Sequence, residues 1–196
     1  VGSGYIYGNT LAKQIREARL DDDIKAVVMR VNSPGGSALA SDIIWREMTL
    51  LQKSKPVVIS MGEEAASGGY YISAPADYII ADKLTLTGSI GVFGMIPNVG
   101  KLLSNKLGIT IDYAATSPEA VGMNLISPLS PRQKEVTLQS VDKIYETFAS
   151  KVAEGRNLPL ERVLEIAEGR VWMGTQAQQI GLADTNGGIK TAIAIA

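Results

Sequence analysis

The chain has 196 residues, 45% of them hydrophobic, with 19 basic and 20 acidic side chains for a net charge of −1, and it contains neither histidine nor cysteine. That length suits one domain with a substantial core, and the near-zero charge argues against an electrostatic binder of nucleic acid or of an anionic membrane surface. Without cysteine there are no disulfides or thiolate sites, without histidine no Ser-His-Asp triad can be built, and only carboxylate oxygens remain for a metal, so no cofactor is expected.

No apolar run approaches the ~20 residues of a membrane span. The opening VGSGYIYGNT lacks Met and reads as a strand or loop cut partway, so the sequence is expected to be a piece of a longer protein. Asn9 or Thr10 is placed to cap a helix through LAKQIREARL, which ends at a solvated acidic loop, Asp21-Asp22-Asp23. AVVMRVN (Ala26 to Asn32) is nearly continuous in apolar residues, the pattern of a strand buried on both faces. SPGGSALA follows, then a helix from Ser41 to Lys53. Pro56 opens a second buried strand, PVVISMG, and AASGGYYISA starts the next helix. DYIIAD (Asp77 to Asp82) and SIGVFG (Ser89 to Gly94) read as a third and fourth strand, and ITIDYA as a fifth, after the short amphipathic helix NVGKLLSNKLGI.

The three prolines of TSPEAVGMNLISPLSP (Thr116 to Pro131) predict a loop. A long helix is expected from Arg132 to Glu154, with Leu138, Val141, Tyr145, Phe148 and Val152 forming one apolar stripe. A further helix follows Pro159, and TQAQQIGLAD and GGIKTAIAIA suggest two more short helical pieces. Strands alternating with helices give an α/β class with a mostly parallel sheet, in strand-turn-helix repeats. Residues 1–196 are expected to form a single domain, with 132–196 as its helical C-terminal extension.

In such folds, sites gather where strand ends meet helix starts. Two Gly-rich turns lie there: SPGG after the first strand and ASGG after the second. Each alone is also read as a close-packed turn with no ligand. A phosphate-binding Walker loop is excluded, since no GK[ST] follows. Ser67, flanked by alanines and glycines, suits either an exposed nucleophile or a small-residue helix start packed against the sheet. Taken together, the two turns describe a nucleophile with a two-donor oxyanion hole, the geometry acyl transfer requires.

VNSPGGS (Val31 to Ser37), MGEEAASGGYYIS (Met61 to Ser73), LTGSIGVFG (Leu86 to Gly94) and GRVWMGTQAQQIGLAD (Gly169 to Asp184) together resemble the signal peptide peptidase A, or protease IV, family, over almost the whole chain. SPGG with AAS alone also fits the wider crotonase and Clp-protease superfamily. The resemblance implies a Clp-protease/crotonase-like fold and a bacterial Ser-Lys serine endopeptidase. Its substrates would be cleaved signal peptides and other hydrophobic peptides. It implies an inner-membrane protein with its catalytic part facing the periplasm, assembled as a homo-oligomer, a tetramer. By the same resemblance Ser67 is the nucleophile, Gly36 and Gly68 are the oxyanion donors, and Ser89 hydrogen-bonds the catalytic lysine.

One departure concerns that lysine. Short members of the family carry it in the segment leading to the long C-terminal helix, but here no lysine lies between Lys106 and Lys134. TSPEAVGMNLISPLSP is more similar to the long, double-domain members, which hold the lysine in their N-terminal half. The chain is therefore read as the C-terminal catalytic half of a long form, with its general base supplied by an N-terminal half outside this sequence. A free lysine, with a pKa of about 10.4, is a poor base at neutral pH unless desolvated or placed beside positive charge. Lys83, Lys101 and Lys106 are the local alternatives, the last two expected to be solvated. For Glu63 and Glu64 a loop-surface role is favoured over tuning the site, and for Tyr70 and Tyr71 packing is favoured over catalysis. The competing functions are a crotonase-type acyl-CoA enzyme and a non-catalytic half-domain for peptide binding or oligomerisation.

Overall fold

The computed structural model describes residues 4–196 of the chain. The chain forms two compact units, Val1–Gly91 with Tyr145–Ala196, and Val92–Ile144.

The first unit is built on a six-stranded sheet centred on β2 (Val57–Ala66). β1 (Val27–Ser33) runs parallel along one edge of β2, in the register Met29↔Ile59. The other edge is shared by β3 (Tyr78–Ala81), paired through Ile59↔Ile79, and β4 (Leu86–Gly88), paired through Ala66↔Gly88. Both pairings are parallel. β5 (Val171–Met173) adds antiparallel to β4, and β6 (Thr185–Asn186) adds parallel to β3. The α/β class with a mostly parallel sheet is therefore as expected.

Val57 to Met61 are all buried, because a central parallel strand is covered on both faces. Side chains alternate between those faces. Val57, Ile59, Met61 and Ile79 join the main core with α1 (Gly8–Leu20), α2 (Ala38–Gln52), α3 (Gly68–Ser73), the end of α5 (Pro131–Arg156) and α6 (Leu160–Ile166). Val58 and Ile80 point the other way, onto Ala192 of α8 (Ile189–Ile195). α7 (Gly174–Gln179) follows β5.

β2 is longer than its apolar run predicts. Ser33 pairs with Ala65 where Val31 pairs with Met61, so β2 carries two more residues than β1 across this step. Asn32 occupies the irregularity: its Oδ1 accepts the Glu64 N–H at 3.2 Å, and a Cβ on Gly62 would stand 2.4 Å from the same oxygen. The bulge carries the strand on to Ala66, placing Glu63 and Glu64 in a strand rather than a loop.

Several boundaries differ from the sequence expectation. α1 begins at Gly8 with Tyr7 as its N-cap, and neither Asn9 nor Thr10 caps it. α2 begins at Ala38, three residues before Ser41, because Ser37 accepts the Ala40 N–H. The fourth strand is Leu86–Gly88 and not SIGVFG. Thr85 and Thr87 donate their hydroxyls to Gly62 O and Ala65 O, which pins this stretch to β2, and Gly88 (φ +78) then ends the strand. ITIDYA has no partner edge and forms no strand.

The second unit contains α4 (Gly100–Leu107), a 3-10 turn at Pro118–Val121 and the first part of α5. Asn124 organises its loop by accepting the N–H groups of Ile126 and Ser127. α5 starts at a reciprocal cap. Ser130 Oγ accepts the Gln133 N–H at 3.1 Å, and Gln133 Oε1 accepts the Ser130 N–H at 2.9 Å, with Pro131 at the first helical position. The 132–196 segment holds β5 and β6 besides its helices.

Candidate active site

Ser67 lies between the last residue of β2 and the first of α3, half-buried, with φ +51° and ψ −117°. A non-glycine residue in this region stores of order 1–3 kcal/mol of strain, held only if the surroundings over-determine it. Here they do. The Ser67 N–H donates to Gly88 O at 2.9 Å, and its carbonyl accepts the Tyr71 N–H at 2.8 Å. Both backbone groups are committed, while among the described residues no side chain bonds the hydroxyl. Small neighbours make the turn sterically possible, and Ala65, Ala66, Gly68 and Gly69 are all buried around it.

The two Gly-rich turns come together at this serine. A Cβ on Gly35 (φ +104) would fall 2.6 Å from Gly68 N and 3.0 Å from Ser67 Oγ. A Cβ on Gly68 would fall 3.3 Å from Gly36 N, and one on Gly69 would fall 2.5 Å from Ser33 O. Glycine is needed at these positions because the backbone of one turn occupies the space of the other's side chains. Gly68 is the first residue of α3, where an N–H has no acceptor within the helix. The SPGG turn thus brings its backbone against the nucleophile candidate, which is the arrangement an oxyanion hole needs. Gly35, which the sequence reading did not single out beside Gly36, makes the closest approach.

Ser89 directly follows Gly88, the residue paired with Ala66. Ser67 and Ser89 are thus the first residues beyond neighbouring ends of two parallel strands. Ser89 also has positive φ (+49), and its N–H donates to Arg170 O at 2.8 Å. A Cβ on Gly88 would lie 2.8 Å from Trp172 Cδ1, so the GRVW segment braces the TGS turn.

The local lysines face solvent. Lys83 is exposed in the turn after β3, and Lys101 and Lys106 are exposed on α4 of the second unit. Among the described residues Lys83 bonds neither Ser67 nor Ser89.

Tyr70 and Tyr71 are buried parts of the core. Tyr70 donates to Leu182 O at 2.9 Å, and burial pushes its phenol well above the ordinary tyrosine range. Tyr71 donates to Asp42 Oδ1 at 2.8 Å, and burial together with that carboxylate also raises its pKa. Neither phenol ionises near neutral pH, so neither supplies a base. Among the described residues no group of His, Cys, Asp or Glu side chains is arranged to hold a metal, and no helix is long and apolar enough to cross a membrane.

The chain is 46% identical over 192 residues to Protease 4 of Salmonella typhi, covering 97% of this chain and 31% of that protein. It is 44% identical over 187 residues to Protease 4 of Haemophilus influenzae, covering 95% and 30%. It is 42% identical over 192 residues to the chloroplastic serine protease SPPA of Arabidopsis thaliana, covering 97% and 28%. The chain thus spans about a third of the length of these relatives. A solved structure of a ClpP1 point mutant from Listeria monocytogenes superposes with a TM-score of 0.63 at 13% identity, over 95% of this chain and 86% of that one, which establishes the Clp-protease-like fold. The Clp protease family model matches residues 7–80, the part holding both Gly-rich turns. The model of peptidase family S49 matches residues 49–196, from before the Ser67 turn through GRVW and GLAD, and the chain belongs to that family.

Proposed function

We propose that this chain is the catalytic part of a serine endopeptidase that uses Ser67 as nucleophile and a lysine as general base. The observation that carries the reading is the strained, doubly anchored Ser67, pressed against the SPGG turn and standing at the start of α3. Ser67 Oγ attacks the scissile carbonyl carbon and its proton passes to the neutral lysine amine. The carbonyl oxygen becomes an oxyanion that the Gly36 and Gly68 N–H groups stabilise. Collapse of this intermediate expels the peptide amine, which takes the proton back from the lysine. Water then releases the acyl group from Ser67 by the same steps in reverse.

The lysine comes from an N-terminal half of the protein, and Ser89 orients it. Two features support this: the relatives are about three times the length of this chain, and Lys83, the lysine nearest Ser89 in sequence, is exposed and among the described residues bonds neither serine. By family resemblance the substrates are cleaved signal peptides and other hydrophobic peptides, the assembly is a homo-oligomer of tetrameric type, and the catalytic part faces the periplasm at the bacterial inner membrane.

The test is hydrolysis of a short hydrophobic reporter peptide by this chain alone and by a form extended upstream. Turnover in the extended form only, abolished by Ser67→Ala, is the expected result. Turnover by the isolated chain would overturn the split base and direct attention to Lys83, Lys101 and Lys106.

A further inference from the structure

α3 spans six residues, too few for a helix to hold its own orientation, so tertiary contacts must set the direction in which Ser67 and the Gly68 N–H point. Tyr70 anchors α3 to the turn between α7 and β6 through Leu182 O. Tyr71 has a different reach. Its hydroxyl donates to Asp42 Oδ1 of α2, and among the described residues this is the only side-chain hydrogen bond joining α2 to α3. These two helices follow the two Gly-rich turns. They already touch one turn earlier, where a Cβ on Gly68 would stand 2.5 Å from Ser41 Oγ.

A third helix closes the cluster. Lys151 of α5, with its side chain 16% exposed, ion-pairs with the same Asp42 oxygen. Its Nζ lies 3.5 Å from the centroid of the Trp45 ring and 5.2 Å from that of Tyr71. Phe148, also on α5, packs on Tyr71 with ring centroids 4.7 Å apart. Trp45 and Lys151 border a cleft of about 420 Å³ whose lining includes Asp77, the residue that accepts the N–H of Val57 at the start of β2.

We propose that Tyr71, Asp42 and Lys151 form a positioning strut that fixes the separation of the SPGG and ASGG turns, and with it the aim of the two oxyanion donors at the Ser67 adduct. The proposal rests on the reading of Ser67 as nucleophile. A half-buried ionic group adds little net stability compared with apolar packing, but its directional bonds select one geometry. An oxyanion hole depends on such geometry, since displacements of about 1 Å can cost ~100-fold in rate. The strut should therefore affect rate more than stability.

Tyr71→Phe removes the hydroxyl and keeps the ring on Phe148. In the upstream-extended protein it is expected to lower kcat about tenfold and weaken a peptide-aldehyde inhibitor by a similar factor, with KM changed by less than about twofold. Lys151→Met should act in the same direction, and Lys151→Arg should restore most of the rate. Independently of turnover, amide exchange at Tyr71, whose N–H bonds Ser67 O, should quicken about tenfold in Tyr71→Phe while Ile59 in β2 is unchanged. Unchanged kcat, aldehyde affinity and Tyr71 exchange would overturn the strut. So would losses that fall equally on KM and on global stability, the mark of a merely structural role. Ser67→Ala separates the two readings. Turnover surviving Ser67→Ala overturns the nucleophile and the strut with it. Turnover lost there but kept in Tyr71→Phe overturns the strut alone.

Discussion

The two units of this chain treat the same kind of sequence in opposite ways. In the first, the apolar positions around β2 are consumed. Val57, Ile59, Met61, Tyr70 and Ile79 are fully or nearly fully buried, and the glycines around Ser67 have backbone where side chains would go. In the second, α4 has an amphipathic pattern but no buried residue, and Phe93, Met95, Leu102, Leu107 and Met123 are exposed. α5 passes through both regimes. Val152 and Phe148 near its end are buried, while Leu138, on the same apolar stripe, is 64% exposed. A hydrophobic period reports that a face exists; only a partner element makes it a core.

The largest effect that sharpens this contrast is chemical. In an upstream-extended protein, Ser67→Ala should reduce peptide hydrolysis by about a thousandfold or more, with the thermal midpoint shifted by no more than a few degrees. A comparable loss of folding would mean that the residue is structural. Next come the glycines. Gly35→Ala is expected to cost about 2–4 kcal/mol, because positive φ is combined with a clash against Gly68 N and Ser67. Gly122→Ala in the second unit also has positive φ, but nothing lies within 4 Å of the new Cβ. It should cost only about 1 kcal/mol. Equal costs in denaturant titrations would remove the distinction between strain and crowding.

Along α5, Val152→Ala should destabilise by roughly 2 kcal/mol and Leu138→Ala by less than about 0.5 kcal/mol. A large Leu138 effect would break the comparison, since it requires a packed partner for the stripe.

The smallest effect is one of pH. Burial alone would raise the Asp42 pKa, but hydrogen bonds from Lys151 and Tyr71 and the Lys151 charge outweigh it and hold the carboxyl below its ordinary value. A lowered folded-state pKa means that the contribution to stability is present above the unfolded value, about 3.9, and is lost as pH falls through the folded value. The acid side of the stability profile should therefore flatten slightly in Asp42→Asn. An unchanged acid limb, followed by thermal melts between about pH 5 and pH 2.5, would show that the pair contributes nothing to linkage. Tyr70 and Tyr71, with raised pKa values, act on the other limb. Their contribution is complete below about pH 10 and is lost above it as the unfolded chain ionises.

Much of the candidate site is legible in the sequence. The apolar runs at 27–33 and 57–61, each followed by a Gly-rich turn and a helix, are local patterns that place Ser67, Gly36 and Gly68 on strand-to-helix turns, but the first run is not buried on both faces as its composition predicts: β1 pairs with β2 alone, and only Val31 in it is buried. SIGVFG and ITIDYA read as strands but form none, because β-prone composition cannot supply a partner edge. Leu86–Gly88 found one through two threonine hydroxyls, and Val171–Met173 became a strand by pairing back on it. The longer β2 was equally hidden, since its last residues depend on a bulge filled by Asn32 from the neighbouring strand.

Residue order along the chain was enough to specify the class of fold, the absence of a histidine-based triad and the two Gly-rich turns that meet at Ser67. These follow from periodicity, composition and the torsional freedom of glycine, all properties of neighbours in sequence. Contacts distant in sequence determined the rest: the close approach of Gly35 to Ser67, the brace of Trp172 on Gly88, the joining of α2, α3 and α5 at Asp42, and which half of the α5 stripe is buried. Such contacts depend on which surfaces the folded chain brings within a few ångströms, and no local pattern encodes that distance.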